Sequence, residues 1–101
     1  MASAKTKQTA PRNIVSERVK AARQRFDPPL TQDQLSGKLA LDGVQLDRVA
    51  IAKIESGRRC AFDYEIRALA KILDVDARWL LGIRDGVPPR FPKVAKKKGS
   101  A

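Results

Sequence analysis

The chain has 101 residues, 43% of them hydrophobic, which suffices for one domain with one core, and no apolar run approaches the ~20 residues of a membrane-spanning helix. It has no histidine and one cysteine, Cys60, so the commonest general base, the usual zinc ligand sets and an internal disulfide are excluded. The net charge is +10, and eight of these ten charges lie in residues 1–12 and 90–101. We therefore expect a cytoplasmic protein that is not an enzyme and binds no cofactor, metal or membrane.

The N-terminal segment, residues 1–12, lacks the apolar stretch of a secretory signal. Because it is basic and poor in apolar residues, we expect it to be a flexible arm. A first helix is predicted over about residues 13–26, followed by a break at Pro28 and Pro29, which cannot continue a helix. One face of this helix collects its apolar side chains, namely Val15, Val19, Ala22 and Phe26.

Two short capped helices follow. Thr31 is an N-cap residue and Gln34 completes a capping box, which predicts a helix over residues 32–41. Asp47 caps a third helix, residues 48–56, and Gly57 supplies the left-handed residue that closes it. The linker of residues 41–45 contains Gly43, which can end the second helix, and Val44, which can pack beneath the turn. Two hydrophobic staples are expected at the helix starts, Leu30 with Leu35 and Leu46 with Ile51.

The C-terminal half predicts two more helices. Asp63 is the expected N-cap of a fourth helix that ends near Leu73, and Asp76 caps a short fifth helix over residues 77–81. The face of the fourth helix that is expected to point into the core carries Phe62, Ile66, Leu69, Ala70 and Leu73. Since no strand pattern appears, the prediction is an all-α, compact five-helix domain over residues 13–85. From residue 86, three prolines and several lysines predict a flexible tail to residue 101.

Several linked motifs resemble the phage-repressor/Cro-type (xenobiotic-response-element-type) helix-turn-helix DNA-binding domain. The similarity extends over roughly residues 14–83 and includes segments 16–23, 62–73 and 75–82. One departure is the linker of residues 41–45, which is about five residues longer than the tight turn of the family. The central pattern T-Q-x-x-L-x-x-x-L…I-x-x-I-E-x-G is carried by Thr31, Gln32, Leu35, Leu39, Ile51, Ile54, Glu55 and Gly57.

This resemblance implies a five-helix bundle of the phage-repressor type, with the helix-turn-helix in its second and third helices. It implies sequence-specific binding of double-stranded DNA by a bacterial or phage transcriptional regulator, a repressor in the simplest case, associated with the nucleoid. It also implies a homodimer on an inverted repeat, with contacts near the fifth helix, and a structural ion pair between Arg23 and Glu55. The family's base-reading positions correspond to Arg48, Val49, Ala50 and Lys53, its phosphate-contacting glutamine to Gln32, and the dimer contact to Trp79, Leu81 and Ile83.

The residue types suit these roles. Arg48 and Lys53 can donate to guanine O6 and N7, and Val49 or Ala50 can contact a thymine methyl group. Phosphate contacts are expected from Arg58 and Arg59 and from the N-terminal arm, through Lys5 and Lys7.

Interpretations that involve no contact with DNA or with a second subunit stay open for several residues. Arg48 could be a solvated charge, Val49 could pack on the linker, and Trp79 with its neighbours could simply close the core. The basic ends could serve only solubility or coat nucleic acid without specificity. A second function is that of an antitoxin-type regulator that also binds a protein toxin, although the C-terminal tail offers only Phe91 and Val94 as apolar anchors.

Overall fold

Five α-helices make up the regular secondary structure of residues 13–92, the part of the chain that this computed structural model describes. No strand occurs within those residues, and the helices pack into a compact all-α unit, as predicted. The helices are α1 (Ser16–Gln24), α2 (Gln32–Leu41), α3 (Arg48–Glu55), α4 (Asp63–Leu73) and α5 (Ala77–Leu80).

The predicted caps of α2, α3 and α5 are confirmed. Thr31 Oγ1 accepts from the Gln34 N–H at 3.0 Å, and the Gln34 side chain accepts from the Thr31 N–H at 2.9 Å, which completes the capping box. Asp47 accepts from the Ala50 N–H at 2.7 Å, and Asp76 accepts from the Arg78 N–H at 2.8 Å. These local hydrogen bonds explain why the three helices start where the sequence predicts.

The predicted cap of α4 is wrong. Phe62 holds the N-cap position, with an extended backbone, and Asp63 is the first helical residue. Glu65, which is buried, provides the cap from within the helix because its carboxylate accepts from the Phe62 N–H at 2.9 Å. The Phe62 ring is 56% exposed, contrary to the predicted inward face, since a residue outside the helix does not follow the helical stripe.

The core lies where all five helices meet. Val44 packs against it beneath the α2–α3 linker, as expected, and Gly43 takes a left-handed φ of 85° directly after α2. The staple residues of α2 and α3 are all buried. The core residues are Val15, Val19, Ala22, Leu30, Leu35, Leu39, Leu46, Ile51, Ile54, Ala68, Leu69, Ala70, Leu73, Val75, Trp79 and Leu80.

Residues between Gly86 and Phe91 contact the domain, although the tail was expected to start at residue 86. The Pro89 carbonyl accepts from the Asp76 N–H at 2.8 Å, and Arg90 pairs with Asp74 at 2.7 Å. Phe91 packs against the core. The folded unit therefore extends at least to Phe91.

Candidate nucleic-acid interface

The position of α3 is fixed by an ion pair with α1. Arg23 donates from Nε and Nη2 to the two carboxylate oxygens of Glu55, at 2.8 and 2.9 Å. The Glu55 side chain is only 5% exposed, and the hydrogen bond to Glu55 raises the pKa of Arg23. The pair offsets the unfavourable position of a carboxylate at the C-terminal end of α3, where the helix dipole is negative.

Gln32 extends this pair to α2. Its Nε2 donates to Glu55 Oε1 at 3.0 Å, while Arg23 Nη1 also donates to the Leu30 carbonyl at 2.8 Å, just before α2. One polar network therefore connects α1, α2 and α3. A network of four charge-assisted hydrogen bonds in a mostly buried position sets the relative orientation of the helices it joins.

Asn13 holds the same C-terminal end of α3 and the loop that follows it. Its Nδ2 donates to the carbonyls of Ile54 and Arg59, at 3.1 and 2.7 Å, and its Oδ1 accepts from the Val15 N–H at 2.9 Å. The side chain thus gives the Ile54 carbonyl a second hydrogen bond, beside the one from the Gly57 N–H at 3.0 Å, and ties the loop after α3 to the segment before α1. This residue was missed as a positioning group by sequence reasoning, because its partners lie more than forty positions away.

The opposite face of α3 is presented to solvent. Ile51 and Ile54 are buried in the core, whereas Arg48, Val49 and Lys53 are exposed. Val49 is 55% exposed, so about half of its surface is accessible to another molecule. Ala50 is half-buried and contacts the edge of the core. Cationic and small apolar side chains therefore share one accessible helix face, which is the chemistry that hydrogen-bonds guanine and contacts thymine methyl groups.

An acidic side chain stands beside this face. Asp33 Oδ1, in the first turn of α2, lies 3.7 Å from Arg48 Nε, the first residue of α3. Both side chains are exposed, Arg48 by 61% and Asp33 by 79%. The first turns of the two helices are therefore neighbours in space.

The two arginines that follow α3 differ in their surroundings. Arg58 is exposed, and its Nε donates to Ser56 Oγ at 3.2 Å. Arg59 instead donates from Nη1 and Nη2 to the buried Glu65, at 2.9 and 3.2 Å, and from Nη1 to the Cys60 carbonyl at 2.8 Å. The hydrogen bond to Glu65 raises the pKa of Arg59. This guanidinium holds the α3–α4 loop, a structural role that the sequence did not reveal.

The predicted dimer residues lie at different depths. Trp79 is 6% exposed and belongs to the core, with Arg18 stacked 4.7 Å from its ring centroid and its Nε1 donating to the Gly86 carbonyl at 2.9 Å. Leu81 is half-buried against the core, while Ile83 is 73% exposed. Of the three, Ile83 offers the most surface to another molecule.

Some predictions fall beyond the described part of the chain. Lys5 and Lys7 lie outside residues 13–92, as does Val94. Within that part, no group of three or more carboxylate, thiol or imidazole side chains is gathered as a metal site would require. None of the five helices has the length and apolar character needed to span a bilayer.

No protein-family model matches this sequence, and no curated protein matches it significantly.

Proposed function

We propose that the protein binds double-stranded DNA in a sequence-specific manner and acts as a transcriptional regulator, with α2 and α3 as a helix-turn-helix of the phage-repressor type. The observation that carries this proposal is the exposed face of α3. Arg48, Val49 and Lys53 project away from the core on a helix that Asp47 caps at its N-terminal end and that Arg23 and Asn13 hold at its C-terminal end. A short anchored helix with such a face is suited to insertion in a major groove.

Phosphate contacts in this proposal come from the helix starts and the loop after α3. Gln32 uses one amide hydrogen for Glu55 and keeps a second for a phosphate oxygen, beside the N-terminal amides of α2. Arg58 adds an exposed cation next to α3, whereas Arg59 is assigned to holding Glu65. Lys5 and Lys7 of the N-terminal arm would add contacts that carry no sequence information.

The protein is proposed to act as a homodimer on an inverted repeat. Ile83 and Val87 are exposed apolar residues in the segment after α5. Leu81, two residues before Ile83, is half-buried and packs against the core. Contact through this segment would relate two copies by a two-fold axis and two half-sites by the same axis. The antitoxin alternative gains no support from Phe91, which packs on its own domain instead of serving as a free anchor.

Selection from a random pool of duplex DNA tests this function. Bound fragments should converge on an inverted repeat with half-site centres about 10 bp apart, or a multiple of that spacing. A control pool retained by a peptide of residues 90–101, which carries five cations and none of the α3 face, should show no enrichment. Fragments without a common sequence would contradict specific binding and favour non-specific coating by the basic ends.

A further inference from the structure

Asp33 is an exposed anion on a surface whose other features suit an anionic ligand. Its carboxylate lies 3.7 Å from Arg48 Nε, and it has no role in the contacts proposed above. A carboxylate at such a place repels phosphate, so its presence needs a physical explanation.

The two helix starts supply part of the explanation. Arg48 is the first residue of α3, where the positive end of the helix dipole disfavours a cation, and Asp33 lies in the first turn of α2, where an anion is favoured. Pairing the two side chains reduces the cost of placing an arginine at the tip of α3. Asp33 thereby stabilises Arg48 at the first position of α3, where the proposed function places it next to DNA.

The side of the Arg48 guanidinium that Asp33 contacts determines which of its N–H groups can bind a base. The contact between these side chains joins Asp33 Oδ1 to the Nε edge of Arg48, at 3.7 Å, and the guanidinium carries its two Nη groups beyond that edge. Those groups are the ones that can donate together to O6 and N7 of a guanine in the major groove. The Asp33 carboxylate also restricts the rotamers of Arg48. The Arg48 side chain therefore loses less conformational entropy when it binds a base.

We propose that Asp33 is a positioning residue for specificity, which directs Arg48 towards a guanine and disfavours its contact with phosphate. This inference rests on the proposed DNA-binding function. In a complex with the wrong sequence, Arg48 would turn to the backbone, lose its pair and leave the Asp33 carboxylate close to phosphates. In the complex with the right sequence, the pair and the base contact coexist.

Binding measurements on the full chain test the proposal. The variant Arg48→Ala first identifies the base pair at which arginine discriminates. Asp33→Asn should then lower the preference for guanine at that base pair by roughly two- to fivefold, the range of an exposed ion pair. The matched control is Asp42→Asn, which removes an identical charge and an ion pair with Lys71 at the other end of α2.

Both variants have the same net charge, so a general charge effect would appear equally in each. Asp42→Asn should change affinity for cognate and random DNA by one factor and leave base preference unchanged. The double variant Arg48→Ala/Asp33→Asn should show the base preference of Arg48→Ala alone, since Asp33 acts through Arg48. If Asp33→Asn keeps the full guanine preference, or if the double variant loses more than Arg48→Ala, the proposal is overturned. If the natural protein itself does not discriminate between DNA sequences, the proposed function fails, and this inference fails with it.

Discussion

Arg23 and Glu55 form a two-pronged ion pair, 2.8 and 2.9 Å long, across the junction of α1 and α3. The pair is nearly excluded from water, and Gln32 adds a third hydrogen bond to the same carboxylate. It holds the helix whose outer face is proposed to read DNA, so the recognition surface depends on an interaction made on the opposite side of that helix.

Replacing one member of this pair should destabilise the fold. Glu55→Gln keeps the shape of the side chain but leaves the Arg23 guanidinium without its counter-charge. We expect a loss of about 3 kcal/mol in the free energy of unfolding, measured by urea denaturation. Glu17→Gln, at an exposed site in α1, is the control and should change it by less than about 0.5 kcal/mol. Equal losses in the two variants would show that the pair does not hold α3.

The local features of the fold were predictable from sequence, because their causes are local. The Thr31–Gln34 capping box, the Asp47 cap and the glycine after α2 each depend on residues a few positions apart, and the predicted bounds of α2 match the structure. The predicted first helix was too long at both ends. Asn13 is occupied with α3, and the chain leaves the helix after Gln24, ahead of the prolines.

The interactions that the sequence did not predict lie outside the helical spacing and the cap motifs. Asn13 meets the end of α3 across more than forty residues, and Arg59 meets Glu65 across the α3–α4 loop, where no motif relates the two. A glutamate three residues after an N-cap was the available signal for Glu65, but Phe62 is not a usual cap residue. The Arg23–Glu55 pair was anticipated only through the family resemblance.

Stability should depend on acidity through Asp76. Hydrogen bonds from the Arg78 side chain and backbone lower the pKa of Asp76 from 3.8 to about 2. A carboxylate with a lower pKa in the folded chain stabilises it above its ordinary pKa, and this stabilisation is lost as the pH falls from 3.8 towards about 2. Asp76→Asn keeps a good cap and removes the titrating group. The free energy of unfolding of Asp76→Asn should therefore fall less steeply than that of the natural protein as the pH is lowered from 3.8 to about 2. Urea denaturation at a series of pH values measures both slopes. Identical slopes for the two proteins would contradict the assignment.

A charge at Ile83 should disrupt the proposed dimer and leave the fold intact. The side chain is 73% exposed, so Ile83→Asp removes little core packing, but it would bury a carboxylate between the two subunits. If the proposed dimer forms, sedimentation should show two protomers for the natural protein and one for Ile83→Asp, with unchanged helical content. Leu41→Asp makes the same kind of change at an exposed leucine on α2 and should leave the dimer unchanged. A dimer that persists in Ile83→Asp would exclude this surface.

Removing residues 1–12 and 93–101 should weaken DNA binding by a similar factor on every sequence. Seven basic residues are removed, while Arg90 and Phe91, which pack on the domain, are retained. The slope of log affinity against log salt should become shallower by about 0.9 for each phosphate that the trimmed chain no longer neutralises. Salt titrations of the full and trimmed chains on one DNA site provide the measurement. An unchanged slope would mean that the domain alone carries the electrostatic attraction.

The most direct test of base reading by α3 is the base preference of Lys53→Ala. Affinities of this variant and the natural protein are compared on the selected site and on every single-base-pair variant of it, with Lys20→Ala on α1 as the control for removal of one exposed cation. If α3 reads bases, Lys53→Ala relaxes the preference at one position, with a cost of about 1–3 kcal/mol on the selected site. A uniform decrease in affinity on all sequences, equal to that of Lys20→Ala, would contradict base reading by α3.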